Sequence, residues 1–171
     1  IVLPAGATIT LTAGGLGGAE SGDLDITQPV IITGASLGYP DDEAQWPLII
    51  AANGDRVFDV TAPVAVELRG LRVTGGAPTG ASGTNGAGVR VTSAGAQVLV
   101  DHVRLSGGEA GNGGGISNAG TVEILDSDFF QNEVSGEGSA IYNSGDLTIR
   151  RSSVRSARDT SGHAEAVYTT Q

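Results

Sequence analysis

The residues best suited to chemistry in this chain are two histidines, His102 and His163, and the aspartates around the first of them. Asp101, Asp126 and Asp128 are the candidates for glycoside hydrolysis, which needs one carboxylic acid and one carboxylate flanking the scissile bond. When the internal repeats described below are aligned, Asp101 falls with Leu125 and Arg150, and Asp126 falls with His102 and Arg151. None of the three carboxylates therefore shares a column with another. The column His102/Asp126/Arg151 reads as a small surface ion ladder, not as a base with its acid. Two histidines and no cysteine exclude a multi-His or thiolate zinc site, a disulfide and thiol catalysis. Asp41, Asp42 and Glu43 are weak calcium candidates, but consecutive acids lack the spaced ligands of a calcium loop and read as a solvated loop tip. Ser139 follows Gly138 without a nucleophile elbow, and Gly111 to Gly115 lacks the lysine and hydroxyl residue that end a phosphate loop. Trp46, Tyr39, Tyr142 and Tyr168 remain as surfaces for sugar stacking; Tyr142 and Tyr168 lie 26 residues apart and are expected on one outer face. The expectation is no catalytic residue, no cofactor and no metal beyond the weak calcium candidates.

The elements that carry these side chains repeat. Val89, Ile116, Ile141 and Val167 recur at intervals of 27, 25 and 26 residues, and Val98, Val122 and Leu147 at 24 and 25. Leu105, Phe129 and Val154 follow at 24 and 25. Upstream, Val66, Leu68, Leu71 and Val73 match Val98, Val100, Val103 and Leu105, and a fainter copy includes Val30, Ile32 and Leu37. Within a repeat the apolar residues alternate with polar ones, which is strand periodicity, and no helical stripe is sustained. A period of about 25 residues indicates a stacked repeat architecture. The expected fold is all-β: a single-stranded right-handed parallel β-helix with three short strands per rung, one domain over residues 1–171 and insertion loops near 34–47 and 75–86. Asn118 and Asn143 sit at matched positions, as do Ser127 and Ser152, and are expected to form ladders between neighbouring rungs.

Composition agrees with this. The 171 residues include 28 glycines but only 4% aromatics, against an ordinary glycine share of about 7%. A narrow coil filled with Val, Ile and Leu and turning on glycines has that composition. The net charge of −10 disfavours nucleic acid, and no apolar run reaches the ~18 residues of a membrane helix. The acids concentrate early, giving −7 over residues 1–60 and +1 over residues 139–171.

The stretch Gly22-Asp23-Leu24-Asp25-Ile26-Thr27, then Val30-Ile31-Ile32-Thr33-Gly34-Ala35 and Asp55-Arg56-Val57-Phe58-Asp59-Val60, resembles the CSLREA-type right-handed parallel β-helix proteins of bacteria. The later Gly113-Gly114-Gly115-Ile116-Ser117-Asn118 and Ala140-Ile141-Tyr142-Asn143-Ser144-Gly145 look like that group's repeats, and are also similar to those of polymorphic outer-membrane proteins and adhesin passengers. The resemblance covers nearly the whole chain and implies a secreted or surface-exposed protein. It departs from the group in lacking the N-terminal Cys-containing motif and a C-terminal anchor.

Because the sequence opens on strand-like Ile1-Val2-Leu3-Pro4 and stops part-way through a repeat, it is expected to be a trimmed product or piece of a longer array, or else to complete its ends with other copies. Ile1, Val2, Leu3, Ile9, Leu11, Val167 and Tyr168 are the expected end-to-end interface. The functional expectation is a non-catalytic extracellular structural or adhesive protein whose partner is itself, stacked head to tail, or other surface components. A glycan is a further candidate partner; nucleic acid and membrane insertion are not expected. The alternative is a carbohydrate-active enzyme or glycan-binding module of the pectate-lyase-like type.

Overall fold

The computed structural model describes residues 1–12, 22–35, 43–52, 54–79, 84–155 and 165–170. Its strands in chain order are β1 (Val2–Leu3), β2 (Thr8–Leu11), β3 (Leu24–Ile26), β4 (Val30–Gly34), β5 (Leu48–Ala51) and β6 (Phe58–Val60). Two long strands follow, β7 (Ala65–Gly75) and β9 (Gln97–Ser106), with β8 (Val89–Val91) between them. Next come β10 (Glu109–Ala110), β11 (Ile116–Asn118), β12 (Thr121–Leu125), β13 (Asp128–Phe130) and β14 (Glu133–Val134). The last are β15 (Ile141–Asn143), β16 (Asp146–Arg150), β17 (Ser153–Val154) and β18 (Val167–Thr169). Among the described residues the one helical segment is a 3-10 turn, Glu43–Gln45. The protein is all-β, and every strand pair is parallel.

The pairing follows the sequence period. One sheet runs β1-β4-β7-β9-β12-β16, with β2, β5, β13 and β17 joined along the second halves of the long strands. A second runs β3-β6-β8-β11-β15-β18, and β10 with β14 makes a small third. Val89 pairs with Ile116, Ile116 with Ile141, and Ile141 with Val167. The fainter upstream copy is in register too, with Val30 beside Val66 and Ile32 beside Leu68; Leu37 lies outside the described residues. Each Val, Ile or Leu thus meets another roughly 4.8 Å away in the next strand. Leu68, Val100 and Ile124 are fully buried in one such column, and Leu105 and Phe129 in another. Burying each of these side chains contributes about 1.5–3 kcal/mol before conformational entropy is counted.

The bend inside the long strands explains why the apolar positions change parity. In β9 the inward residues are Val98 and Val100, then Val103 and Leu105, so the alternation slips by one between Asp101 and Val103. His102 takes up the slip with φ of 51°. Its counterparts Gly70, Asp126 and Arg151 have φ of 57°, 46° and 48°, so one left-handed residue per repeat turns the chain. Asp and His tolerate that region better than branched residues do. A second turning column precedes β8, β11 and β15, where Gly86, Gly113 and Gly138 all have positive φ. At Gly113 a Cβ would collide with the Ile116 carbonyl oxygen, so glycine is required there.

Of the segments expected as insertions, 34–47 contributes Gly34 to β4, the 3-10 turn, Trp46 and Pro47, while residues 36–42 lie outside the described residues. In 75–86 the described parts are 75–79 and 84–86.

Candidate functional site

Most of the residues singled out above lie among the described ones. Asn118 and Asn143 form the internal ladder: Asn118 Nδ2 donates to Asn143 Oδ1 at 2.7 Å, and its Oδ1 accepts the Gly120 amide at 2.8 Å. Asn143 Nδ2 donates to the Gly145 carbonyl at 2.8 Å. Both side chains are almost wholly buried, so each amide satisfies backbone groups of the turn that follows it. Ser127 and Ser152 act similarly at the bend. Ser127 Oγ accepts the Val103 amide at 3.0 Å and donates to the Leu125 carbonyl at 2.6 Å; Ser152 Oγ accepts the Ser127 amide at 3.1 Å. Where the inward residue at this position is Leu71 or Val103 the strand runs on unbroken, and where it is Ser127 the hydroxyl replaces a ladder carbonyl and splits β12 from β13.

The corner column behaves as an ion ladder. Arg151 binds Asp126 through Nε and Nη2 at 2.8 and 2.7 Å, and His102 Nδ1 lies 2.6 Å from Asp101 Oδ1. The Arg151 hydrogen bonds hold the Asp126 carboxyl below the usual aspartate range. Arg69 lies 3.8 Å from Asp101, and Arg155 lies 3.2 Å from Asp128. The ligand atoms of Asp101, His102 and Asp126 sit within 4.8 Å of one another, but arginine already pairs with each carboxylate.

Trp46 packs edge-on against His102, with ring centroids 6.4 Å apart. Tyr142 and Tyr168 do stack, with centroids 5.6 Å and planes 11° apart. Ser139 is fully buried, and its Oγ donates to the Glu165 carbonyl. The Gly113 and Gly115 amides are taken by the Glu137 and Ala140 carbonyls, so this run makes backbone pairs. Asp41, Asp42, Tyr39 and His163 lie outside the described residues; Glu43 begins the 3-10 turn. At the edges, Ile1 and Val2 are 69% and 67% exposed, while Leu3, Ile9, Leu11, Val167 and Tyr168 are half-buried.

Three groupings escaped the sequence reading. In the first, Arg56 is buried among Asp23, Asp55 and Asp59 at 3.1, 3.6 and 3.5 Å, and Arg90 binds Asp59 through Nε at 2.9 Å and through Nη2. Burial and the neighbouring Asp55 push the Asp23 carboxyl above its usual range, whereas the hydrogen bond to Asp59 raises Arg90. Asp25 faces Asp59 directly across β3 and β6, so paired carboxylates do exist in a column, away from the three considered first. Asp23, Asp25 and Asp59 also have ligand atoms within 4.8 Å of one another, but the Arg56 guanidinium reaches both Asp23 and Asp59. In the second grouping, Asn85 Oδ1 accepts from both the amide and Nδ2 of Asn112 at 3.2 Å, and Asn112 Oδ1 accepts the Glu137 amide at 2.7 Å. In the third, Glu109 lies beside Glu133.

On the outer face of the second sheet one register row reads Asp25, Asp59, Arg90, Ser117, Tyr142, Tyr168. The small Ser117 leaves a depression of about 330 Å³ between Arg90 and Tyr142. Compared with protein-family models, curated proteins and solved structures, the chain matches none.

Proposed function

We propose that the chain is a right-handed parallel β-helix with a non-catalytic, extracellular structural role, stacking end to end with copies of itself. Strand–crossover–parallel-strand connections are right-handed in nearly all proteins, which supports the hand of the winding. The resemblance to CSLREA-type and adhesin-like repeats supports a surface location.

The observation that carries the stacking is the one-sided pairing at both edges. Among the described residues β1, β2 and β3 are bonded to β4, β5 and β6 only, and β16, β17 and β18 to β12, β13 and β15 only. Unpaired parallel edges of matching register template further strands, and Ile9 and Leu24 at one edge share register columns with the half-buried Val154 and Val167 at the other. Such an interface is heterologous and extends without closing. The charge of −7 over residues 1–60 against +1 over residues 139–171 favours head-to-tail over like-end contacts. A structural role is supported by the use of polar side chains: Asn118, Ser127, Ser152, Asn85 and Asn112 serve backbone groups of neighbouring turns, and Asn143 serves the turn that follows it.

Sedimentation velocity over a hundredfold concentration range, with negative-stain microscopy, tests this. The expected result is a rising sedimentation coefficient and rods of uniform width, both abolished by Ile9→Glu, which sets a carboxylate in the apolar column that ends at Val154. A single monomeric species without rods at the highest concentration overturns it.

A further inference from the structure

The depression at Ser117 is a built site, and its chemistry is independent of end-to-end stacking. We infer that it binds a neutral pyranose unit of a glycan, with Tyr142 as the stacking wall and Arg90, Asn85 and Ser117 as its hydrogen-bonding groups.

Tyr142 forms one wall. One of its ring faces is covered by Tyr168, whose near-parallel stack fixes the ring's tilt, and the opposite side borders the depression. A fixed, half-exposed phenol ring offers apolar area at low entropic cost together with a hydroxyl at its rim. The facing wall is Arg90, two strands away in the same row and so about 9.6 Å distant along the sheet. Its guanidinium is held in place by the paired bonds to Asp59. The floor is Ser117, only 9% exposed, whose hydroxyl has no hydrogen-bond partner among the described residues. That hydroxyl borders the open depression, where a ligand can reach it. At the side, Asn85 spends its Oδ1 on Asn112 and so presents Nδ2 as a donor. The result is an apolar wall opposite convergent polar groups, the usual make-up of a small-ligand site, in a volume at the lower end of the usual range.

Charge selects among sugars. Arg90 is matched by Asp59, and the adjoining cluster holds Asp23, Asp25, Asp55 and Asp59 against Arg56 and Arg90. The local field is negative, so an acidic sugar is repelled and a neutral one is not.

The test is a titration of the isotopically labelled chain, followed by two-dimensional NMR and calorimetry, with cellohexaose, xylohexaose, mannohexaose and hexagalacturonic acid as probes. The expected result is that at least one neutral hexasaccharide shifts amides in residues 85–92, 117–119 and 142–144. Tyr142→Ala and Ser117→Gln weaken that binding about tenfold or more, roughly the loss of one good contact. Ser117→Ala, which removes only a hydroxyl and leaves the fold testable by circular dichroism, weakens it severalfold. The inference is overturned if no neutral probe shifts these amides at about 10 mM, well above a millimolar dissociation constant. It is equally overturned if Ser117→Ala and Tyr142→Ala both bind as the unaltered chain does, or if hexagalacturonic acid binds more tightly than every neutral probe.

Discussion

Asn118 and Asn143, 25 residues apart in sequence, are joined by a 2.7 Å amide-to-amide hydrogen bond inside the protein. Each also closes the turn that follows it, so the pair ties two successive turns together. Asn118→Leu leaves the Gly120 amide and the Asn143 side-chain Oδ1 unsatisfied in the interior. Each orphaned group costs about 1–3 kcal/mol, and the expected loss in urea denaturation is about 2–4 kcal/mol. Asn118→Asp, which keeps the acceptor for Gly120, loses the bond to Asn143 and is expected to be destabilised as well.

Arg56 anchors the upstream charge cluster from a position 1% exposed. Replacing it by Met keeps most of the volume and leaves Asp23 and Asp59 with a reduced counter-charge. Breaking a buried pair from one side typically costs about 3–5 kcal/mol, and thermal or urea unfolding of Arg56→Met should show a loss of that order.

Two aspartates should give opposite pH slopes. The Asp23 carboxyl is raised, chiefly by burial, so the folded chain holds that proton more tightly than the unfolded chain does. Its ionisation therefore destabilises the fold as pH rises from the ordinary aspartate value through the raised one. Asp126 is lowered by its Arg151 hydrogen bonds; its contribution is complete above the ordinary value, about 3.9, and is lost as pH falls below it. Urea midpoints measured from pH 3 to pH 8 should flatten in the upper window for Asp23→Asn and in the lower one for Asp126→Asn. Unchanged slopes in both variants contradict these assignments.

The left-handed corner can be isolated at Asp126, where φ is 46°. Asp126→Gly and Asp126→Val both lose the Arg151 pair, so their difference reports the backbone. The glycine variant should be more stable by about 1–2 kcal/mol, the cost of a left-handed residue with a Cβ. Equal stabilities would mean that the corner relaxes.

What could be read in advance was whatever recurs at a near-constant interval. The apolar columns, the Asn118/Asn143 pair and the corner residues repeat at 24 to 27, and the intervals alone align them. The Arg56 cluster was hidden because Asp25 and Asp59, neighbours across β3 and β6, lie 34 residues apart: the loop between β4 and β5 stretches that interval and slides the alignment off. The depression at Ser117 was hidden for another reason. It arises from a small side chain between two large ones, Arg90 and Tyr142, and only the register of three strands reveals the gap.

Head-to-tail stacking is tested most directly by cross-linking, which the absence of native cysteine makes clean. Thr8 in β2 and Ser153 in β17 occupy the two exposed ends of one register column, through Leu48, Arg72, Arg104 and Asp128. Stacking would bring Ser153 of one copy against Thr8 of the next. Under mild oxidation the Thr8→Cys/Ser153→Cys double variant should give a ladder of disulfide-linked multimers on a non-reducing gel, while either single variant remains monomeric. A double variant that stays monomeric, or single variants that dimerise as readily as the double, would contradict it.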